Sequence, residues 1–225
     1  MNHQLRTQLT PASLSPAIDP AALREIIVGI LIAMFLAALD QTIVAPALPT
    51  IGSSLGNAEY LSWIVTAYLL TATAVTPLYG KLADIRGRRP VIFGAIAIFV
   101  AGSIISALAR SMLVLVIGRA IQGVGGGGLG ALSIIVIGDV VAPRERGQYQ
   151  GYISGMWGIA SLAGPIVGGF LAHKLHWSMI FWINLPLAAL AIAVLNNPLK
   201  KLPTVRGQHW LDLLGAGLMI RQRLL

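Results

Sequence analysis

The 225-residue sequence contains no cysteine. That absence removes a disulfide framework, a Cys-ligated zinc or iron–sulfur site and a thiol nucleophile from consideration. Charge is also scarce: Asp, Glu, Lys and Arg make up 11% of the chain, against roughly 25% in a soluble globular domain. Acidic residues are the scarcer sign, 8 against 16 basic ones, for a net charge of +8. What fills the space is apolar, at 56% of residues, and it comes in runs too long for the core of an ordinary soluble enzyme.

Residues 1–25 form a short polar tail that ends at Leu23-Arg24-Glu25. The first apolar run, 26–48, is interrupted by a single charge, Asp40. It exceeds the roughly 7–15 apolar residues of a signal peptide and reads as a retained first transmembrane span. Five further spans are expected at 61–79, 91–109, 113–138, 150–172 and 179–196. Each approaches or exceeds the ~20 residues that cross a ~30 Å hydrocarbon layer as a helix. Membrane strands would alternate in polarity, whereas these runs are continuous, so helices are expected throughout.

The basic residues are distributed unevenly between the two ends of these spans. One end collects Arg6, Arg24, Lys81, Arg86, Arg88, Arg89, Arg144, Arg146, Lys200, Lys201 and Arg206; the other holds Arg110 and Lys174. The positive-inside rule then places the N terminus in the cytoplasm, and the charge reads as topogenic, with no nucleic acid as partner. Trp63, Trp177, Trp182 and Trp210 fall near span ends, where an interfacial belt would hold them. Segment 197–225 opens like a further span from Asp212 but breaks at Arg221-Gln222-Arg223. It reads as a truncated seventh helix or a stub on the cytoplasmic face.

Ionisable residues within a span are functional candidates because charge is costly in lipid. Asp40 lies about 21 Å into its span and Arg119 about 9 Å into its own from the opposite end, so both sit about 9 Å below the outer boundary. Opposite charges at one depth invite a pair. That pair is open to two uses: a carboxylate that takes up and releases a proton as the partners separate and meet, or a static bridge between helices.

The most specific local pattern is Gly80-Lys81-Leu82-Ala83-Asp84-Ile85-Arg86-Gly87-Arg88-Arg89-Pro90. Two glycines allow a tight turn and close backbone approach, and Asp84 is placed to accept hydrogen bonds from a helix N terminus. This loop resembles the motif between the second and third helices of the major facilitator superfamily. Leu39-Asp40-Gln41-Thr42-Ile43-Val44 followed by Ala47-Leu48-Pro49 resembles the first-helix motif of its fourteen-helix drug/proton antiporter branch (EmrB/QacA-type), with Ala45 and Pro46 departing from the usual pattern. Gly118-Arg119-Ala120-Ile121-Gln122-Gly123 resembles the fourth-helix motif, and Gly164-Pro165-Ile166-Val167-Gly168-Gly169 the fifth-helix antiporter motif. Two other patterns are set aside. Gly123-Val124-Gly125-Gly126-Gly127-Gly128 has the spacing of a dinucleotide loop but lies inside a span, and His173 with His176 lacks a third metal ligand.

The expected fold is therefore an all-α integral membrane protein, the six-helix N-terminal half of a major facilitator fold (26–196) with a tail before it and an incomplete seventh helix after it. The resemblance implies a proton-coupled efflux transporter of hydrophobic or cationic drugs, working by alternating access in the cell membrane. Asp40 and Arg119 would couple protons. Gly80, Asp84, Gly87, Arg88, Arg89 and Asp139 would form a cytoplasmic gate, and Gly164, Pro165, Gly168 and Gly169 the fifth-helix element. Gln41, Gln122 and Trp157 are candidates for the substrate cavity. Neither cofactor nor metal is implied. The partners are the bilayer, protons, a small substrate, and a missing C-terminal half or a second copy; the alternative is a truncated, non-transporting membrane fragment or scaffold. An enzyme is not expected, since the embedded ionisable residues offer no nucleophile–base set.

Overall fold

The computed structural model describes residues 20–200, and all six expected spans are helical there. The tail before Pro20 and the segment beyond Lys200, including the expected seventh helix, lie outside the described residues. Helix α1 covers Pro20–Ile43 and α2 Leu48–Leu55; together they form the first span. Helix α3 (Leu61–Arg86) is the second span, α4 (Arg88–Ala107) the third, α5 (Met112–Val140) the fourth and α6 (Arg146–Lys174) the fifth. The sixth is divided into α7 (Met179–Trp182) and α8 (Asn184–Asn196).

Local chemistry accounts for the ends and breaks. Pro20 opens α1, where its missing N–H costs nothing and its fixed φ favours the first turn. The first span continues past Leu48 to Leu55, but Pro46 and Pro49 interrupt its hydrogen-bond ladder, leaving a 3₁₀ turn over Ala45–Ala47 between α1 and α2. Gly87 joins α3 to α4 alone, at φ 89°, a conformation that glycine adopts without a side-chain clash. Ser111 caps α5 by accepting from the Val114 amide at 3.4 Å. The sixth span divides at Ile183, just after Trp182, whose carbonyl lies four residues before Pro186 and finds no N–H there.

Helix α5 packs between α3 and α4, while α1 packs against α6, α8 and α5. Close approach depends on missing side chains. A Cβ at Gly125 would overlap the backbone of Ala95 and Phe99 in α4, and one at Gly127 the backbone of Ala72 in α3. The glycine run with a nucleotide-loop spacing is thus a helix-packing surface, the usual role of small residues between membrane helices. On α6 the buried residues Ile153, Met156, Ala160, Gly164, Gly168 and Ala172 form one stripe along α1. The large residues Leu162, Ile166 and Phe170 are exposed on other faces.

The apolar interior has two parts. One, toward the arginine-rich end, includes Leu36, Ala38, Phe99, Leu129 and Ala188; the other includes Ile43, Ile64, Leu115, Trp177 and Phe181. Between them, four helices carry buried polar residues: Asp40 on α1, Ser103 on α4, Arg119 and Gln122 on α5, Asn184 on α8. Trp177 departs from the interfacial expectation: it is buried and meets the Phe181 ring edge-on at 6.3 Å, held by ring packing within the bundle.

Replacing Gly127 with Val is expected to lower the detergent melting temperature sharply, because the added side chain meets backbone; overpacking typically costs about 1–3 kcal/mol. Gly130→Ala on the same helix meets nothing within 4 Å and should leave the melt unchanged. Equal melts for the two variants would contradict the packing surface.

Candidate functional site

The structure brings Asp40 and Arg119 together from α1 and α5, across 79 residues of chain. Arg119 Nη1 donates to Asp40 Oδ2 at 2.6 Å, and both side chains are almost wholly buried, at 1% and 0% exposure. Isolated charges at such a position are unfavourable, so each must be paired and each remaining donor or acceptor occupied. Neighbouring groups bond Nε and Nη1, and aromatic rings cover the guanidinium. Arg119 Nε donates to the Ile64 carbonyl at 3.2 Å, and Nη1 also to Gln122 Oε1 at 2.7 Å. Its guanidinium lies over the Tyr68 ring, 4.4 Å from the centroid, with the Phe181 ring at 5.9 Å.

The other carboxylate oxygen, Asp40 Oδ1, accepts from Gln122 Nε2 at 2.7 Å and from Asn184 Nδ2 at 2.9 Å. The same two nitrogens donate to Ser103 Oγ, at 2.6 and 2.9 Å. The charged members set the amide orientations. A guanidinium has no acceptor, so Gln122 must turn its oxygen to Arg119; an ionised carboxylate has no donor, so both amides must turn nitrogen to Asp40. Five spans meet in this one network, α3 through the Ile64 carbonyl.

Glycines make the reach possible. A Cβ at Gly102 would overlap the Gln122 backbone, and one at Gly118 would overlap Ser106. Beside the network, Thr42 Oγ1 donates to the Ala160 carbonyl of α6 at 2.9 Å, and Thr71 Oγ1 of α3 to the Ala120 carbonyl of α5 at 2.8 Å. Gly164 and Gly168 bring α6 onto Thr42 and Ile43, so that a side chain at either position would overlap α1. Gly169 meets nothing, and Pro165 faces outward from the α1 contact.

At the arginine-rich end, Arg88 stands between two carboxylates. Its Nη1 donates to Asp84 Oδ1 at 2.6 Å and its Nε to Asp139 Oδ2 at 2.9 Å. This ties the start of α4 to the ends of α3 and α5. Arg89 Nη2 donates to Asn196 Oδ1 at 2.9 Å, adding the end of α8, and its guanidinium lies 5.4 Å from the Phe93 ring centroid. A Cβ at Gly80 would meet Ile135 at an ordinary contact distance of 3.7 Å.

The three cavity candidates are not grouped. Gln122 is enclosed within the ion-pair network, Gln41 is partly buried, and Trp157 is exposed on α6. An apolar cavity of about 410 Å³ lies elsewhere, between α3 and α4, lined by Val75, Tyr79, Val91 and Ala95 with Arg86 at its edge. Ser103 and Asn184 escaped the sequence reasoning because that reasoning looked for ionisable groups. The available signal was an Asn two residues before a Pro inside an apolar run.

Comparison with known proteins places this architecture. Residues 30–223 match the family model described as Major Facilitator Superfamily. The chain belongs to that superfamily. It is 42% identical over 175 residues to the multidrug transporter protein MdtP of Bacillus subtilis (strain 168), an alignment covering 78% of this chain and 32% of that protein. It is 45% identical over 175 residues to the efflux pump FUS6 of Gibberella moniliformis, covering 78% and 31%. The chain therefore spans about a third of the length of these relatives. Its fold is similar to the crystal structure of a D-xylose-proton symporter, with a TM-score of 0.71 at 18% identity, covering 89% of this chain and 53% of that one. This major facilitator chain is a multi-pass integral membrane protein of a transporter family, rather than an enzyme.

Because the pair is dry, Arg119→Leu should strand the Asp40 carboxylate; breaking a buried pair from one side costs roughly 3–5 kcal/mol. The double variant Asp40→Leu/Arg119→Leu is expected to regain most of that loss in a detergent melt. A double variant less stable than Arg119→Leu alone would show that the two charges are not each other's principal partners.

Proposed function

We propose that the chain forms the N-terminal six-helix part of a proton-coupled efflux transporter of the fourteen-helix EmrB/QacA-type branch, which exports hydrophobic or cationic compounds by alternating access. The observation that carries this reading is the buried Asp40–Arg119 pair inside the motif-bearing helices α1 and α5. The names of MdtP and FUS6 as multidrug transporter and efflux pump support the direction and breadth of transport. The arginine-rich ends lie in the cytoplasm of a cell-membrane protein, as the positive-inside rule requires.

In this reading Asp40 is the proton carrier. Ionised, it is held by Arg119 through Coulomb attraction that is strong at low dielectric. Protonation removes that attraction, and α1 and α5 are then free to part. The bridge from Arg88 to Asp84 and Asp139 closes the cytoplasmic end and must break for that end to open. Helix α6 pivots on α1 at Gly164, with Pro165 weakening its ladder. The substrate path lies between this bundle and a second one, since transporters of this kind bind between their repeats. The exposed apolar side chains of α3 and α6 support such a second surface.

Reconstituted into liposomes with an imposed proton gradient, the transporter that joins this bundle to its second one is expected to export a cationic dye. Asp40→Asn should reduce that efflux to the level of protein-free liposomes while inserting normally. Undiminished gradient-driven efflux by the variant would remove Asp40 from coupling.

Cytoplasmic opening is testable by labelling, which the absence of native cysteine makes clean. With Val136→Cys, buried near the arginine-rich end of α5, Asp84→Asn is expected to raise the labelling rate several-fold. An unchanged rate would argue against the gate.

A further inference from the structure

Among the described residues four buried side-chain atoms lack a hydrogen-bond partner, Tyr68 Oη, Arg89 Nε, Ser106 Oγ and Asn184 Oδ1, and of these residues Asn184 is the one that bonds Asp40. Every other orientation around Asp40 is constrained. Gln122 is anchored at its oxygen by Arg119 at 2.7 Å, so turning its amide would set a donor against a donor. Asn184 has no such anchor. Its nitrogen serves Asp40 and Ser103, and its oxygen serves neither.

Protonation of Asp40 changes what Oδ1 needs. A carboxylic acid carries an O–H donor, and two N–H groups directed at it no longer match. Gln122 cannot respond without losing Arg119. Asn184 can: reversing its carboxamide brings Oδ1 to the place of Nδ2, within reach of both Asp40 and Ser103. The Ser103 hydroxyl, which accepts from both amides, then turns its hydrogen to the asparagine. Two bonds donated by Asn184 become two accepted, and the protonated oxygen keeps a lone pair for Gln122. The count of bonds is unchanged, because the two that Nδ2 gives up are replaced by two that Oδ1 accepts, and the place Nδ2 turns into held none.

We infer that Asn184 is a positioning residue for the Asp40 proton, its carboxamide reversing between donor to the carboxylate and acceptor from the acid while Ser103 reverses with it. This rests on the reading of Asp40 as proton carrier. It gives α8 a bond to α1 in both protonation states, so neutralising Asp40 loosens the Arg119 side of the network while holding the Asn184 side. Among the described residues, the titratable or charged groups facing this site are Arg119 of α5 and the Tyr68 phenol of α3. Helices α4, α6 and α7 present Ser103, Ala160 and Gly164, and Phe181.

The test is isotope-edited infrared difference spectroscopy of the intact protein in lipid as pH is lowered, with ¹³C at asparagine side-chain carbonyls. Asn184→Leu identifies the Asn184 band and Asp40→Asn the carboxylic acid band. The expected result is a downshift of the Asn184 carbonyl, from unbonded to doubly bonded, with the same pH midpoint as the Asp40 acid band. Ser103→Ala should about halve that shift, since one of two new donors is gone. An Asp40 acid band that rises while the Asn184 carbonyl stays fixed overturns the inference alone. An acid band that never appears overturns the proton-carrier reading, and this inference with it.

Discussion

A carboxylate and a guanidinium lie 2.6 Å apart in the dry centre of a helix bundle, and the arrangement of the surrounding spans follows from that pairing. Neither charge is tolerable alone at that position, and the pair is tolerable only when the atoms left over are satisfied. Ile64 and Gln122 occupy the guanidinium; Gln122 and Asn184 occupy the carboxylate; the rings of Tyr68 and Phe181 cover the cation. They come from α3, α5 and the two helices of the sixth span. The polar layer therefore sets the relative rotation and height of five spans, which apolar contacts alone, indifferent to small rotations, do not specify.

Such short side chains reach each other only if the helices come unusually close. Lipid supplies no hydrophobic force to press helices together, so contact has to be gained from packing and interhelical hydrogen bonds. The glycines of α5 and α6, with Gly102 of α4, permit the approach, and the Thr42 and Thr71 hydroxyls bond carbonyls of the helices they meet. One pattern joins α1 to α6 and α3 to α5: a threonine on one helix, and a carbonyl three or four residues before a close-packed glycine on the other.

Helix α5 carries both polar sites. Arg119 lies in the central layer and Asp139 in the bridge at the arginine-rich end, 20 residues further on, about 30 Å along a helix. Helix α4 likewise contributes Ser103 to one site and Arg88 to the other. Under the proposed function, a change at Asp40 has two continuous helices through which to bias the distant bridge. The physical requirement is that they move as rigid elements, and the absence of a break within α4 or α5 meets it.

Run lengths alone showed six stretches between residues 26 and 196 long and apolar enough to cross a membrane, which of their ends carry the positive charge, and that Asp40 and Arg119 share a depth. These are properties of the chain counted along its axis: run length, charge sign and rise per residue. What the tertiary structure alone decided is rotation about those axes. In water, the apolar face of a helix marks its buried side; in lipid both sides are apolar, so periodicity no longer tells core from surface. That is why Asn184 and Ser103 went unnoticed, why Gln122 was expected at a cavity and lies in the ion-pair network, and why Trp177 is buried within the bundle. The meeting of α1, α4, α5 and α8 around one carboxylate is a fact of packing, set by where glycines let backbones touch.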